Sequence, residues 1–267
     1  MKKIISLFFH RVDTPQFNIV RTLVFNFIML PFSQAIKLPI FIYGKVRFVS
    51  LNGKIVITNK VTTKMIKIGV NQDSFSGNVK CGSLVLMKNS CIEFRGPCII
   101  SIGSVFRISG KLSIGSGSFF GSESKVFCDY KIFLGQYFRS TFQCCLMDSN
   151  FHPTIDLITK NIQPINRSIS IGKYNWVGNR TNIMPGTKTG DNVIITSKSL
   201  LNKDYTIYGT NIMLGGCPAK LIKKDVMPIY NGKIERLVQN HYDITDSVYK
   251  LDEQVSLNEL LQQIYSK

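Results

Sequence analysis

Three histidines occur in the chain, His10, His152 and His241, and their surroundings separate them chemically. His152 stands in the run Met147-Asp148-Ser149-Asn150-Phe151-His152-Pro153. An imidazole, with an ordinary pKa of about 6.5, accepts a proton from a poor nucleophile such as a hydroxyl near neutral pH. Asp148 and Asn150 stand close enough in the chain to orient its other ring nitrogen or to meet a substrate. The plainer reading of the pair is a turn bonding its own backbone. A second candidate group is cationic: Lys198, Lys203, Lys220, Lys223 and Lys224 gather late in the chain, either as a solvated face or as a site for phosphates. The seven cysteines form no CxxC pair and none sits at zinc-ligand spacing near a histidine, so no metal is expected. An odd number of them points to reduced thiols in a cytoplasm, most serving as small apolar fillers.

The element that must position these groups is a repeat. Ile171, Val177, Ile183, Thr189, Ile195 and Leu201 stand six residues apart, and Gly172, Gly178 and Gly190 follow three of them. Ile102, Ile108, Ile114, Phe120 and Val126 keep the same period, which resumes after a two-residue shift at Leu134, Ser140 and Leu146. Leu86, Ile92 and Cys98 hold it in another phase. Neither the helical period of 3.6 nor the strand period of 2 divides this pattern. A chain that turns a corner after each short strand does, with the aliphatic residue inward and the glycine permitting the turn. Coils then stack as parallel strands about 4.8 Å apart. The expected fold is all-β, a parallel β-helix over 46–224. The period lapses between His152 and Ile169, so a loop over 153–168 must leave the column, and such loops carry function.

Two extensions flank it. Residues 1–45 are apolar and basic and are expected to form a packed helix or two. Residues 225–267 are expected to end in a helix, because Ser256-Leu257-Asn258-Glu259 reads as a capping box before Leu260, Leu261 and Ile264. Neither a cleavable signal peptide nor a spanning helix is legible, since the apolar stretch over 22–36 is interrupted and falls short of the ~20 residues a span needs. The formal charge of +17, from 33 Lys+Arg against 16 Asp+Glu, calls for an anionic partner: nucleic acid, a membrane surface or phosphorylated small molecules. No nucleic-acid-binding motif accompanies it, and the charge is dispersed, so nucleic acid is not expected. Phe8, Phe9, Phe25, Phe27 and Phe32 with scattered lysines suggest peripheral contact with the inner membrane surface. The competing expectation is a helix packed on the column's open end.

The ordered set Met147 to Pro153, Ile169-Ser170-Ile171-Gly172, Trp176-Val177-Gly178, Ile183-Met184-Pro185-Gly186, Gly190-Asp191-Asn192, Lys203-Asp204 and Gly216-Cys217-Pro218-Ala219-Lys220 resembles the maltose/galactoside/xenobiotic acetyltransferase family. The likeness is greatest to its members in capsule and O-antigen pathways. The resemblance implies a left-handed β-helix, a homotrimer, and acetyl-CoA bound in clefts between adjacent coils. It implies His152 as catalytic histidine, beside which Asp148 and Asn150 are the candidate assisting residues from their closeness in the chain. It places the cofactor at Trp176, Gly178, Asn179, Ser197, Lys203 and Pro218, with Lys220 and Lys223 facing CoA phosphates. Asp129 and Tyr130 resemble an acceptor-side pair. Thr196, Ser197 and Cys217 depart from the residues of many relatives.

The expected activity is therefore O-acetylation of a sugar hydroxyl in surface-polysaccharide biosynthesis, on a sugar, nucleotide-sugar or lipid-linked glycan acceptor. Acetyl-CoA is an activated thioester, so a base, oxyanion donors from coil backbone N–H groups, and placement suffice. Cys144-Cys145 invites an acyl-cysteine route, but no base other than His152 is near, which favours direct transfer. N-acetylation of an amino sugar and acetylation of an antibiotic are the alternatives within enzymes. A zinc enzyme of the carbonic-anhydrase kind lacks its converging histidines, and a non-catalytic scaffold leaves His152 unexplained.

Overall fold

The computed structural model describes residues 15–71 and 81–261, so Phe8, Phe9, His10 and Ile264 lie outside it. The strands fall into three sheets of nine, seven and five, called here the first, second and third. One coil supplies a strand to each: Cys98–Ser101, Val105–Ile108 and Lys111–Gly115 are followed by Ser118–Phe120, Lys125–Cys128 and Lys131–Leu134, directly above them and parallel. The period of six arises because each short strand plus its corner consumes that many residues. Inward ladders follow from the register. Phe106, Val126, Leu146, Ile183 and Leu201 stack in the second sheet and are all buried.

The glycines of the repeat do something other than expected. Gly135 and Gly172 follow their aliphatic partners without adopting positive φ; the left-handed residue comes two positions later, at Tyr137 (φ 55°) and Tyr174 (φ 55°). What excludes a side chain is the next coil. A Cβ on Gly172 would lie 2.2 Å from the Gly190 carbonyl oxygen, and one on Gly135 would lie 2.5 Å from Gly172 backbone atoms. At these two corners the glycine thus permits close stacking, while a non-glycine residue carries the turn at a modest backbone cost; Gly103 (φ 73°), after Ile102, takes the turn conformation itself. Tyr137 and Tyr174 recover part of that by stacking, with ring centroids 4.9 Å apart.

Both ends of the column are closed. Helix α1 (Ile19–Met29) and the short α2 (Phe32–Ala35) precede the strand Ile40–Ile42, which opens the first sheet inside the 1–45 extension. The α1 side chains satisfy that strand's free edge: Ile42 N donates to Thr22 Oγ1 at 3.0 Å, and Ile40 N donates to Asn26 Oδ1 at 3.1 Å. Asn26 Nδ2 returns a bond to the Ile40 carbonyl at 2.7 Å. At the other end, Ile212–Gly216 pairs antiparallel with Ala219–Lys224, which ends the ladder of parallel coils. Beyond it, α3 (Gly232–Tyr242) and α4 (Leu257–Leu261) fold back, and Tyr230 lies against Tyr174 and under the Arg139 guanidinium. The capping box before α4 forms: Glu259 N donates to Ser256 Oγ at 3.3 Å, and Ser256 N to Glu259 Oε1 at 3.5 Å. No helix among the described residues is long and apolar enough to cross a membrane.

Close stacking at the glycine corner has a measurable consequence. Gly172→Ala should lower stability by about 1–3 kcal/mol, the usual cost of overpacking a tight contact. Denaturant unfolding of this variant checks it, and wild-type stability would mean the corners are free to separate.

Candidate active site

The interruption of the repeat creates the candidate site. After the second-sheet strand Cys145–Met147 the chain departs, and it rejoins the third sheet only at Ile169–Ile171. Elsewhere a corner's backbone N–H groups bond to the next coil; Ser109 N and Gly110 N both donate to the Cys128 carbonyl. At the corner of Asp129 and Tyr130 the departing chain offers no carbonyl in that place. Asp148 substitutes. Its carboxylate is fully buried, with Oδ1 accepting from Asp129 N at 2.7 Å and Oδ2 from Tyr130 N at 3.0 Å. Its own carbonyl receives Arg167 N at 2.9 Å, fixing the loop's return. The Cys128 thiol beside it is pushed well up, by burial first and then by the Asp148 charge. Asp148 therefore braces the corner and makes no hydrogen bond to His152 in this structure.

The loop is a narrow excursion. Ser149 bridges Asn166 and Ile155 bridges Ile162, both antiparallel, and Asn150 N donates to the Ile165 carbonyl at 3.0 Å. At its base a tight turn raises His152. Phe151 takes φ 60°, its N–H donates to Ser149 Oγ at 3.0 Å, and His152 N donates to the Asn150 carbonyl at 2.7 Å. The imidazole is exposed and finds no hydrogen-bond partner among the described residues; Asn150 is exposed beside it.

Sequence reasoning missed how this turn is held. Phe151 packs edge-on to Phe127, with centroids 6.4 Å apart, and the Arg107 guanidinium lies 5.7 Å from its ring. Arg107 Nη1 also pairs with Asp129 Oδ1 at 2.7 Å. Arg107, Phe127 and Met147 occupy equivalent outward positions of successive coils. Alternation within each hexad carries that signal, once the inward ladder is assigned. Asp129, Tyr130, Arg107 and Phe151 thus form one surface next to His152, with Tyr130 exposed.

On the C-terminal side of the loop, a cleft of about 540 Å³ is lined by Tyr130, Asn166, Arg167, Lys188, Lys203 and others. Lys188 pairs with Asp204 at 3.1 Å there. A cleft of about 720 Å³, lined by Lys64, Lys67, Tyr137 and Arg139, lies at another edge and contains none of the residues expected to act in catalysis or binding.

The expected cofactor residues divide. Gly178, Asn179 and Ser197 meet at the edge between the first and second sheets. A Cβ on Gly178 would lie 2.6 Å from Ser197 N, and Asn179 Oδ1 accepts from Phe142 N at 3.1 Å. The backbone N–H groups of Asn179 and Ser197 find no acceptor among the described residues. Trp176 is exposed on the first sheet, between Arg139 and Ile194. Pro218 is in the terminal hairpin turn, after a cis peptide bond. Lys220 and Lys223 stand exposed on its second strand, opposite Gly215 and Met213. Lys203 is apart from these, at the corner lining the 540 Å³ cleft. Cys144 is buried and its thiol is raised by desolvation, as is that of Cys145. His241 Nε2 lies 2.7 Å from the Ser247 carbonyl, within the C-terminal extension.

No family profile matches the chain. The polysialic-acid-specific acetyltransferase NeuO superposes with a TM-score of 0.54 at 21% identity, covering 75% of this chain and 98% of that one. This is the left-handed hexapeptide-repeat acetyltransferase fold. Segments of the chain are similar to curated acetyltransferases. A chloramphenicol acetyltransferase of Morganella morganii is 47% identical over 55 residues, 21% of this chain and 25% of that protein. A probable macrolide acetyltransferase of Lysinibacillus sphaericus is 33% identical over 124 residues, 43% of this chain and 61% of that protein. The chain thus spans a quarter of the first relative's length and under two thirds of the second's.

Removing the carboxylate that braces the corner leaves two backbone N–H groups without a partner, at about 1–3 kcal/mol each. Asp148→Ala should therefore lower the melting temperature markedly. A variant as stable as wild type would free Asp148 for a different role.

Proposed function

We propose that the chain is an acetyl-CoA-dependent O-acetyltransferase that acetylates a sugar hydroxyl in surface-polysaccharide biosynthesis, with His152 as general base. The observation that carries this reading is the exposed, unpaired imidazole of His152, raised on a braced turn beside the Asp129–Tyr130 corner. An acceptor hydroxyl gives its proton to the imidazole while its oxygen attacks the thioester carbonyl. The collapsing intermediate expels CoA as thiolate, the imidazolium returns the proton to sulfur, and the sugar ester remains. The unpaired N–H groups of Asn179 and Ser197 suit the acyl oxygen or the pantetheine amides. Lys220 and Lys223 suit the CoA phosphates, and Trp176 borders the same edge. Raised thiols at Cys144 and Cys145 speak against an acyl-cysteine route.

The same geometry supports a homotrimer. Within one chain the His152 turn lies at the edge between second and third sheets, whereas Asn179 and Ser197 lie at the edge between first and second. A neighbouring copy that lays its cofactor edge against the His152 edge completes the site. We place the enzyme in the cytoplasm, where acetyl-CoA is available and seven unpaired cysteines are stable. Similarity to chloramphenicol and macrolide acetyltransferases favours, as the second reading, acetylation of a small-molecule hydroxyl.

His152→Ala should keep its fold and its affinity for acetyl-CoA, since the ladders and the cofactor edge lie elsewhere. Acetyl transfer should fall by about 10²- to 10⁴-fold, the worth of a positioned general base. A folded variant retaining more than about a tenth of wild-type turnover would remove His152 from this role. Lys220→Ala should raise KM for acetyl-CoA with little change in kcat, because a contact remote from the reacting carbon contributes uniform binding. Steady-state kinetics decide this, and an unchanged KM would move the phosphate site elsewhere.

A further inference from the structure

Helix α1 is turned opposite to an ordinary surface helix. Its inward stripe is Thr22, Phe25, Asn26 and Met29, and two of these four are polar because they bond the edge of Ile40–Ile42. Its outward face is apolar: Val20 is 66% exposed, Val24 52%, Phe27 47% and Ile28 64%. Phe32 on α2 and Ile36 after it extend that face, at 73% and 55% exposed. Of the aromatic residues expected outward, Phe25 is instead buried against Phe48. The helix is packed on the column's open end, and its apolar side is turned away from it.

Isolated exposed apolar residues need no explanation, but a contiguous face of this kind requires a partner. Charge identifies it. Residues 15–71, the helices and first coil together, contain eight lysines and arginines and no aspartate or glutamate. A second copy applied to this face would bring two such cationic ends together without a counter-charge. An anionic surface with an apolar layer beneath it matches both properties. The helix has 11 residues, about 17 Å at 1.5 Å per residue, too short to cross a hydrocarbon core of about 30 Å. It is suited to lying flat, its apolar face sunk about 5–10 Å into the headgroup boundary.

We propose that the outward face of α1 and α2 is an interfacial anchor that seats this end of the column on an anionic lipid bilayer. The proposal rests on the fold and charge of the first coil and is independent of the catalytic reading. Full-length protein should float with phosphatidylglycerol-containing vesicles at least tenfold more than with phosphatidylcholine vesicles, and added salt should weaken the binding. The triple variant Val24→Glu/Phe27→Glu/Ile28→Glu alters outward side chains alone and should lose that binding while keeping its melting temperature. If it melts lower than wild type, the milder pair Phe27→Ser/Ile28→Ser replaces it, with the same loss expected. Wild-type protein that stays with neither vesicle overturns the proposal, as does equal flotation of wild type and a folded variant. A variant that changes oligomeric mass by light scattering, with no vesicle binding by wild type, would assign the face to a second copy instead.

Discussion

Every strand of a parallel β-helix must find its hydrogen-bond partners in the coil before and the coil after it, and the structure depends on that demand. Within the repeat the demand is met automatically, which is why the column tolerates Cys, Phe, Val or Leu at its inward positions. Where the repeat stops, a substitute is needed, because a buried N–H without an acceptor is costly. Three substitutes are visible. Thr22 and Asn26 close the first edge, Asp148 replaces the missing carbonyl at the loop, and the antiparallel strand Ala219–Lys224 closes the last coil. The features on which the proposals rest collect at these breaks: an apolar cationic face at the first, His152 at the second, and exposed lysines at the third.

The breaks also explain how a rigid scaffold presents an exposed side chain. A regular coil turns all its residues either inward or flat against solvent. Departure at Asp148 frees a short turn to stand off the surface, while Phe127, Phe151 and Arg107 hold it against the preceding coils. Positioning comes from the column, and accessibility comes from the loop. The Asn179–Ser197 corner and the His152 turn lie at different edges of the column, and the proposed trimer rests on that separation.

The column was legible in the sequence because six-residue periodicity has one physical source, and Ile108, Phe120, Val126, Leu134, Ile171, Val177 and Ile183 are all fully buried as expected. The loop after His152 was legible from the lapse of the period, and the chain does leave the column there. Less visible were features that depend on what the next coil supplies. Gly172 reads as a turn residue until the Gly190 carbonyl is seen in its way. Asp148 reads as a partner for His152 until the unpaired corner at Asp129 and Tyr130 is found. Arg107 lies 45 positions before His152 in the chain, and its contact with Phe151 appears only when coils are stacked in register. Helix α1 misleads for a related reason: Thr22 and Asn26 look like its solvent face, although strand-edge bonding turns them inward.

Transfer of an acetyl group to an acceptor oxygen is tested by the chemical nature of the bond formed. Purified protein would be incubated with carbonyl-labelled acetyl-CoA and a surface glycan or its lipid-linked precursor, and the product examined by NMR before and after mild alkali. The account predicts acceptor-dependent release of CoA and a labelled ester that alkali removes. An alkali-stable amide, or CoA release indifferent to every hydroxyl-bearing glycan tested, would contradict it.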